Sequence, residues 1–80
     1  MPAATTDVEA TVVDALETFG AERADINREA TMESLDIDSL DLAELSQIVE
    51  EKYGVALKGS DAERLKTVGD AIDLIVERAG

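Results

Sequence analysis

Apolar residues recur at helical spacing in three separate stretches of this chain, and almost nowhere alternate as a strand would. Val68, Ala71, Ile72, Ile75, Val76 and Ala79 trace the clearest i, i+3, i+4 stripe. Val8, Val12, Leu16 and Phe19 trace a second, and Leu42, Leu45, Ile48 and Val49 a third. Punctuation supports these boundaries. Thr6-Asp7-Val8-Glu9 reads as a capping box opening the first helix, with Gly20 as its stop. The second helix begins at Asp38 or Ser39 and ends near Tyr53-Gly54. Ser60-Asp61-Ala62-Glu63 reads as another capping box, starting a short helix that ends near Leu65, and Thr67 caps the last helix. Only Gly54-Val55-Ala56-Leu57 competes as a strand, and it is short. The pattern predicts an all-α fold, a small four-helix bundle with three main helices and a short third one. A long loop, from Gly20 to about Asp38, joins the first two helices and is pinned by Ile26, Met32 and Leu35. Residues 1–5 read as a loose tail and residues 6–80 as one domain.

Absences narrow the chemistry. Eighty residues without cysteine form one small domain with no disulfide. Neither a signal-peptide pattern nor a membrane-length apolar run is present, so a cytoplasmic location without membrane insertion is expected. Without His or Cys, catalytic triads, thiol catalysis and the usual zinc sites are excluded. An enzyme would need paired carboxylates or a lysine, on a domain with little room for a deep cleft. Any reactive group the protein uses is therefore expected to be attached to it after synthesis.

The net charge of −12 argues against nucleic acid and anionic membranes, and favours basic protein partners met by electrostatic steering. The charge is concentrated: from Glu29 to Glu51 there are eight acidic residues and no Lys or Arg. Inside that stretch, Ser39 sits between Asp38 and Asp41 where the loop gives way to the second helix. Asp36 and Asp38 match the first and third positions of a calcium loop. Leu40, Asp41 and Gln47 then fail three key positions, which rejects an EF-hand. Two readings of Ser39 remain open at this point. It is a helix cap, or it is a hydroxyl at a helix N-terminus, where the dipole and free amides favour a covalently attached phosphate.

The run Asp36-Ile37-Asp38-Ser39-Leu40-Asp41, with Glu44-Leu45, Glu50-Glu51 and Thr67-Val68-Gly69-Asp70-Ala71, resembles a freestanding, type II acyl carrier protein over nearly the whole chain. The resemblance implies that Ser39 carries 4′-phosphopantetheine, installed from coenzyme A by a phosphopantetheinyl transferase (a holo-acyl-carrier-protein synthase). By the same resemblance the arm's thiol would hold acyl groups as thioesters, and the chain is expected to be a non-catalytic shuttle for fatty-acid synthesis, ahead of polyketide synthesis. Asp38, Leu40, Asp41, Glu44, Glu50 and Glu51 match the family's recognition surface for basic partners, which include a malonyl or acyl transferase and a ketosynthase. Leu45, Ile48, Val49, Leu57, Ala62 and Leu65 are the implied lining of an acyl pocket between the second and third helices. The chain is expected to be a monomer. The chain departs from the family pattern at Asp36, where glycine is common, at Gln47, often Met, and at Leu57-Lys58, usually Ile-Pro. The rival readings are an aminoacyl or peptidyl carrier, an unmodified acidic helical interaction module, and a small enzyme built on Asp38 and Asp41.

Overall fold

A computed structural model describes residues 5–79, with Gly59 and Ala62 described in backbone only. Three α-helices form: α1 (Thr5–Thr18), α2 (Ser39–Tyr53) and α3 (Val68–Ala79). Short 3-10 turns span Arg23–Asp25 and Gly59–Arg64. No strand occurs among the described residues, only an isolated antiparallel bridge between Thr31 and Thr67.

Residues 1–4 of the expected tail lie outside the described residues, and Thr5 already belongs to α1. Thr6 therefore lies inside the first turn, and the expected Thr6–Glu9 box does not mark the helix start. The helix stops as Gly20 requires. Gly20 N–H donates to the Glu17 carbonyl and Ala21 N–H to that of Leu16, with Gly20 at φ 112°. This Schellman pair satisfies the last carbonyls of α1. At the other end of the chain, Thr67 and Asp70 form a reciprocal box. The Thr67 hydroxyl accepts from Asp70 N–H at 3.0 Å, and the Asp70 carboxylate accepts from Thr67 N–H at 3.2 Å.

The expected short third helix is a 3-10 turn, and Ser60 is inside it and not its cap. Asp61 is the residue that organises the turn: its carboxylate accepts from Lys58 N–H at 2.7 Å and is held there by Arg78. Six residues with a glycine at the start are too few to offset helix nucleation, and the tighter 3-10 form suffices.

The core forms where the three stripes meet. Val8, Val12 and Leu16 from α1 pack with Leu45 and Val49 from α2 and with Val68, Ile72 and Ile75 from α3, all essentially inaccessible. Leu74, off the expected stripe, is buried as well. Polar ties join α1 to α2: the buried Thr11 hydroxyl bonds both the Tyr53 hydroxyl (2.8 Å) and Lys52 Nζ (2.9 Å).

The long loop is docked on the start of α3. Met32 N–H donates to the Lys66 carbonyl, Val68 N–H to Ala30 and Gly69 N–H to Arg28. Arg28 further pairs with Asp73 at 2.7 Å. The close approach explains Gly69, because a Cβ there would meet the Arg28 carbonyl oxygen at 2.9 Å and Arg28 Cβ at 3.3 Å. Alanine is intrinsically favoured over glycine inside a helix by about 1 kcal/mol. Against that, displacing a hydrogen-bonded backbone costs about 1–3 kcal/mol. Gly69→Ala is expected to lose about 1 kcal/mol of stability in urea unfolding. A gain in stability would mean that the loop does not dock on α3 this way.

Candidate functional site

The loop ends by burying Met32, Leu35 and Ile37, so its last residues approach α2 from a fixed direction. Ile37 N–H donates back to the Met32 carbonyl at 2.9 Å, closing a tight turn. That closure puts Asp36 in the left-handed region at φ 58°. Glycine takes this conformation without Cβ strain, and here Asp36 holds it in place of a glycine. Asp36→Gly is accordingly expected to be more stable than Asp36→Ala by about 1 kcal/mol. Chemical denaturation of the two variants measures the difference, and equal midpoints would deny the strained turn.

Asp38 follows in extended conformation and caps α2. Its carboxylate accepts from Asp41 N–H at 3.0 Å, while Asp38 N–H donates to the Asp41 carboxylate at 3.4 Å. The capping oxygen thus comes from Asp38, and Ser39 is the first helical residue, exposed to solvent. The cap reading of Ser39 gives way to a hydroxyl held at the positive end of α2 without a capping duty.

Leu40, beside it, is a large apolar side chain that is 75% exposed. Glu44, Glu50 and Glu51 are exposed along α2, and Asp38 and Asp41 bond each other's backbone at its start. Among the described residues none of these five carboxylates joins an ion pair. The ion pairs formed use Asp14, Glu17, Asp61, Asp73 and Glu77. The α2 charges are therefore available to an external cation.

Ser39 opens onto a surface depression of about 510 Å³. Leu42, Ala43, Ser46 and Gln47 line it from α2, and Leu57, Lys58 and Leu65 from the facing segment. Residues 39, 42, 43 and 46 share one helical face at the spacing i, i+3, i+4, i+7. The Ser46 hydroxyl donates to the Leu57 carbonyl at 3.2 Å and ties the two walls together. Of the residues expected to line an acyl pocket, Leu57 and Leu65 face this depression. Leu45 and Val49 lie in the core and Ile48 packs against it, half-buried. The side chain of Ala62 lies outside the described residues. Leu42, Ala43, Ser46, Gln47 and Lys58 were not foreseen as lining, although the spacing from Ser39 marks the first three.

The far wall is secured by Asp61 and Arg78, whose guanidinium donates to both carboxylate oxygens at 2.6 and 2.7 Å. The Arg78 hydrogen bonds, with the bond from Lys58 N–H, hold the Asp61 carboxyl well below the usual range, at about 2. The pair is thus ionised at neutral pH. No cluster of three or more carboxylates suited to a metal ion occurs among the described residues.

Known proteins resemble this chain over most of its length. Residues 7–75 match the family described as the phosphopantetheine attachment site. A protein of Chlamydia muridarum named acyl carrier protein is 44% identical over 73 residues, covering 90% of this chain and 91% of the relative. One of the same name from Chlamydia felis is 41% identical over 75 residues, covering 92% of each.

Proposed function

The chain belongs to the phosphopantetheine-attachment family, as an acyl carrier protein, and from that premise we propose that Ser39 bears the arm. The observation that carries this assignment is the division of labour at the start of α2. Asp38 takes the capping role, and the Ser39 hydroxyl stays exposed at the mouth of an apolar depression. The attachment forms one oxygen–phosphorus bond at Ser39 Oγ and breaks the pyrophosphate of coenzyme A, with the adenosine bisphosphate as leaving group. The hydroxyl proton passes to a base of the transferase. Once attached, the arm supplies the thiol that this cysteine-free sequence lacks, and with it thioester chemistry.

The chain's own residues then present and shelter the cargo. The end of a well-anchored loop fixes where the arm begins. Leu40 and the carboxylates Asp38, Asp41, Glu44, Glu50 and Glu51 meet an apolar contact and Lys or Arg groups on partner enzymes. Among these are a phosphopantetheinyl transferase, a malonyl or acyl transferase and a ketosynthase. The depression takes up the proximal part of an acyl chain against Leu42, Leu57 and Leu65. In this reading the protein is a non-catalytic, monomeric, cytoplasmic carrier, with fatty-acid synthesis as its pathway ahead of polyketide synthesis. Intact-mass measurement after incubation with coenzyme A, magnesium and a broad-specificity transferase tests it, with peptide mapping to locate the added group. One phosphopantetheine on Ser39 is the expected result. No gain on a folded protein would favour an unmodified interaction module.

A further inference from the structure

The far wall of the Ser39 depression is fastened from a distant point of the sequence. Leu57 and Lys58, which line that wall, lie between two attachment points for one side chain. Arg78, in the last turn of α3, donates to the Ala56 carbonyl at 3.3 Å on one side and to both Asp61 oxygens on the other. Asp61 is only 6% exposed and also accepts from Lys58 N–H at 2.7 Å, so the carboxylate closes the turn from within. The Arg78 side chain itself is about one-third exposed, at 32%. A planar guanidinium matches a carboxylate with two parallel bonds and fixes orientation as well as distance. The neighbouring Arg64–Glu77 pair is different: a single 3.4 Å contact between exposed groups, which joins the end of the 3-10 turn to α3 without bonding residues 56–61.

We propose that Arg78 is a positioning residue for the cargo. By holding residues 56–61 against α3, it sets, together with the Ser46–Leu57 bond, the separation between Leu57 and the α2 face, and so which acyl groups the depression shelters. The proposal rests on the reading that an acyl group carried from Ser39 uses this depression. Short acyl groups that do not reach the wall are indifferent to Arg78. Longer apolar chains, which fill the space between Leu42 and Leu57, depend on it.

The test uses acetyl and octanoyl thioesters of the arm-bearing protein and follows their cleavage by hydroxylamine. In the parent protein octanoyl is expected to be cleaved more slowly than acetyl. Arg78→Met removes the three hydrogen bonds and keeps an apolar stem. It is expected to lose most of the octanoyl protection, with the acetyl rate unchanged, and Arg78→Lys to fall between. Arg64→Met and the destabilised Gly69→Ala serve as controls and are expected to keep the parent ratio, which separates positioning from general loss of stability. Undiminished octanoyl protection in folded Arg78→Met would overturn the proposal, as would an equal loss in Gly69→Ala. If the parent itself does not distinguish octanoyl from acetyl, the depression is not a cargo site and the proposal falls with that reading. Failure of Ser39 to accept the arm instead removes the carrier assignment, at an earlier and separate step.

Discussion

Ser39→Ala is expected to abolish arm attachment while leaving the helical fold and the unfolding midpoint nearly unchanged. The chemical half follows because the only heavy atom removed is the Ser39 hydroxyl oxygen, the proposed attacking group. The structural half follows from the cap. Asp38 supplies the oxygen that satisfies Asp41 N–H, so removing the serine hydroxyl leaves no first-turn amide orphaned. Ser39 is also exposed, and alanine is the better helix former. Asp38→Ala provides the contrast in the same experiment. It removes the capping oxygen and is expected to cost about 1 kcal/mol of stability, while the hydroxyl stays in place. Mass spectrometry after transferase treatment and circular dichroism melting read the two effects separately. An arm appearing on Ser39→Ala, at Ser34 or Ser46 for example, would refute the site assignment. A large loss of stability in that variant would return Ser39 to a capping role.

What the sequence reveals here is mostly what is local. Thr67 and Asp70 stand three residues apart and form the reciprocal cap that their spacing implies. Gly54 ends α2 in left-handed conformation, as a glycine after a helical run does. The start of α2 near Ser39 is legible for the same reason, since loop and apolar stripe are consecutive, but that the cap is Asp38 and not Ser39 itself is visible only in the structure. The pieces that escaped are settled by partners far along the chain. Ser60 has the local pattern of a cap, yet Asp61 organises that turn because Arg78, 17 residues away, reaches it. The lining of the depression mixes one face of α2 with Leu57, Lys58 and Leu65. Which apolar residues face the depression and which enter the core depends on how those segments dock. Leu45 and Val49 belong to the same stripe as Leu42, and only the packing of α1 and α3 draws them inward. Gly69 is readable as part of a motif, but its physical reason, the Arg28 carbonyl beside it, is visible only in three dimensions.

Reversing Glu44 and Glu50 to Lys together is expected to slow arm transfer by about tenfold or more at low ionic strength, through the encounter step. Single exposed ion pairs contribute only about 0–1 kcal/mol, so the effect does not rest on one lost contact. Each reversal replaces an attraction for a basic partner by a repulsion, on a face that contains no compensating cation from Glu29 to Glu51. Both carboxylates are exposed and outside the ion pairs that the fold uses, so stability is expected to hold, helped by reduced self-repulsion in a chain of net charge −12. Salt identifies the mechanism. Screening reaches about 30 Å at 0.01 M and about 10 Å at 0.1 M ionic strength. The gap between parent and double variant is therefore expected to narrow steadily as salt is added. Initial transfer rates across an ionic-strength series measure it. Unchanged, salt-independent rates would remove the steering role of α2. A deficit that persists at high salt would assign these residues to close contact in the bound complex. Steering suits a carrier for a physical reason: it raises the rate of meeting each enzyme, while the rate of leaving is governed by the short-range contacts. In the proposed partner role, the exposed Leu40 would add only a small apolar contact, which favours ready release.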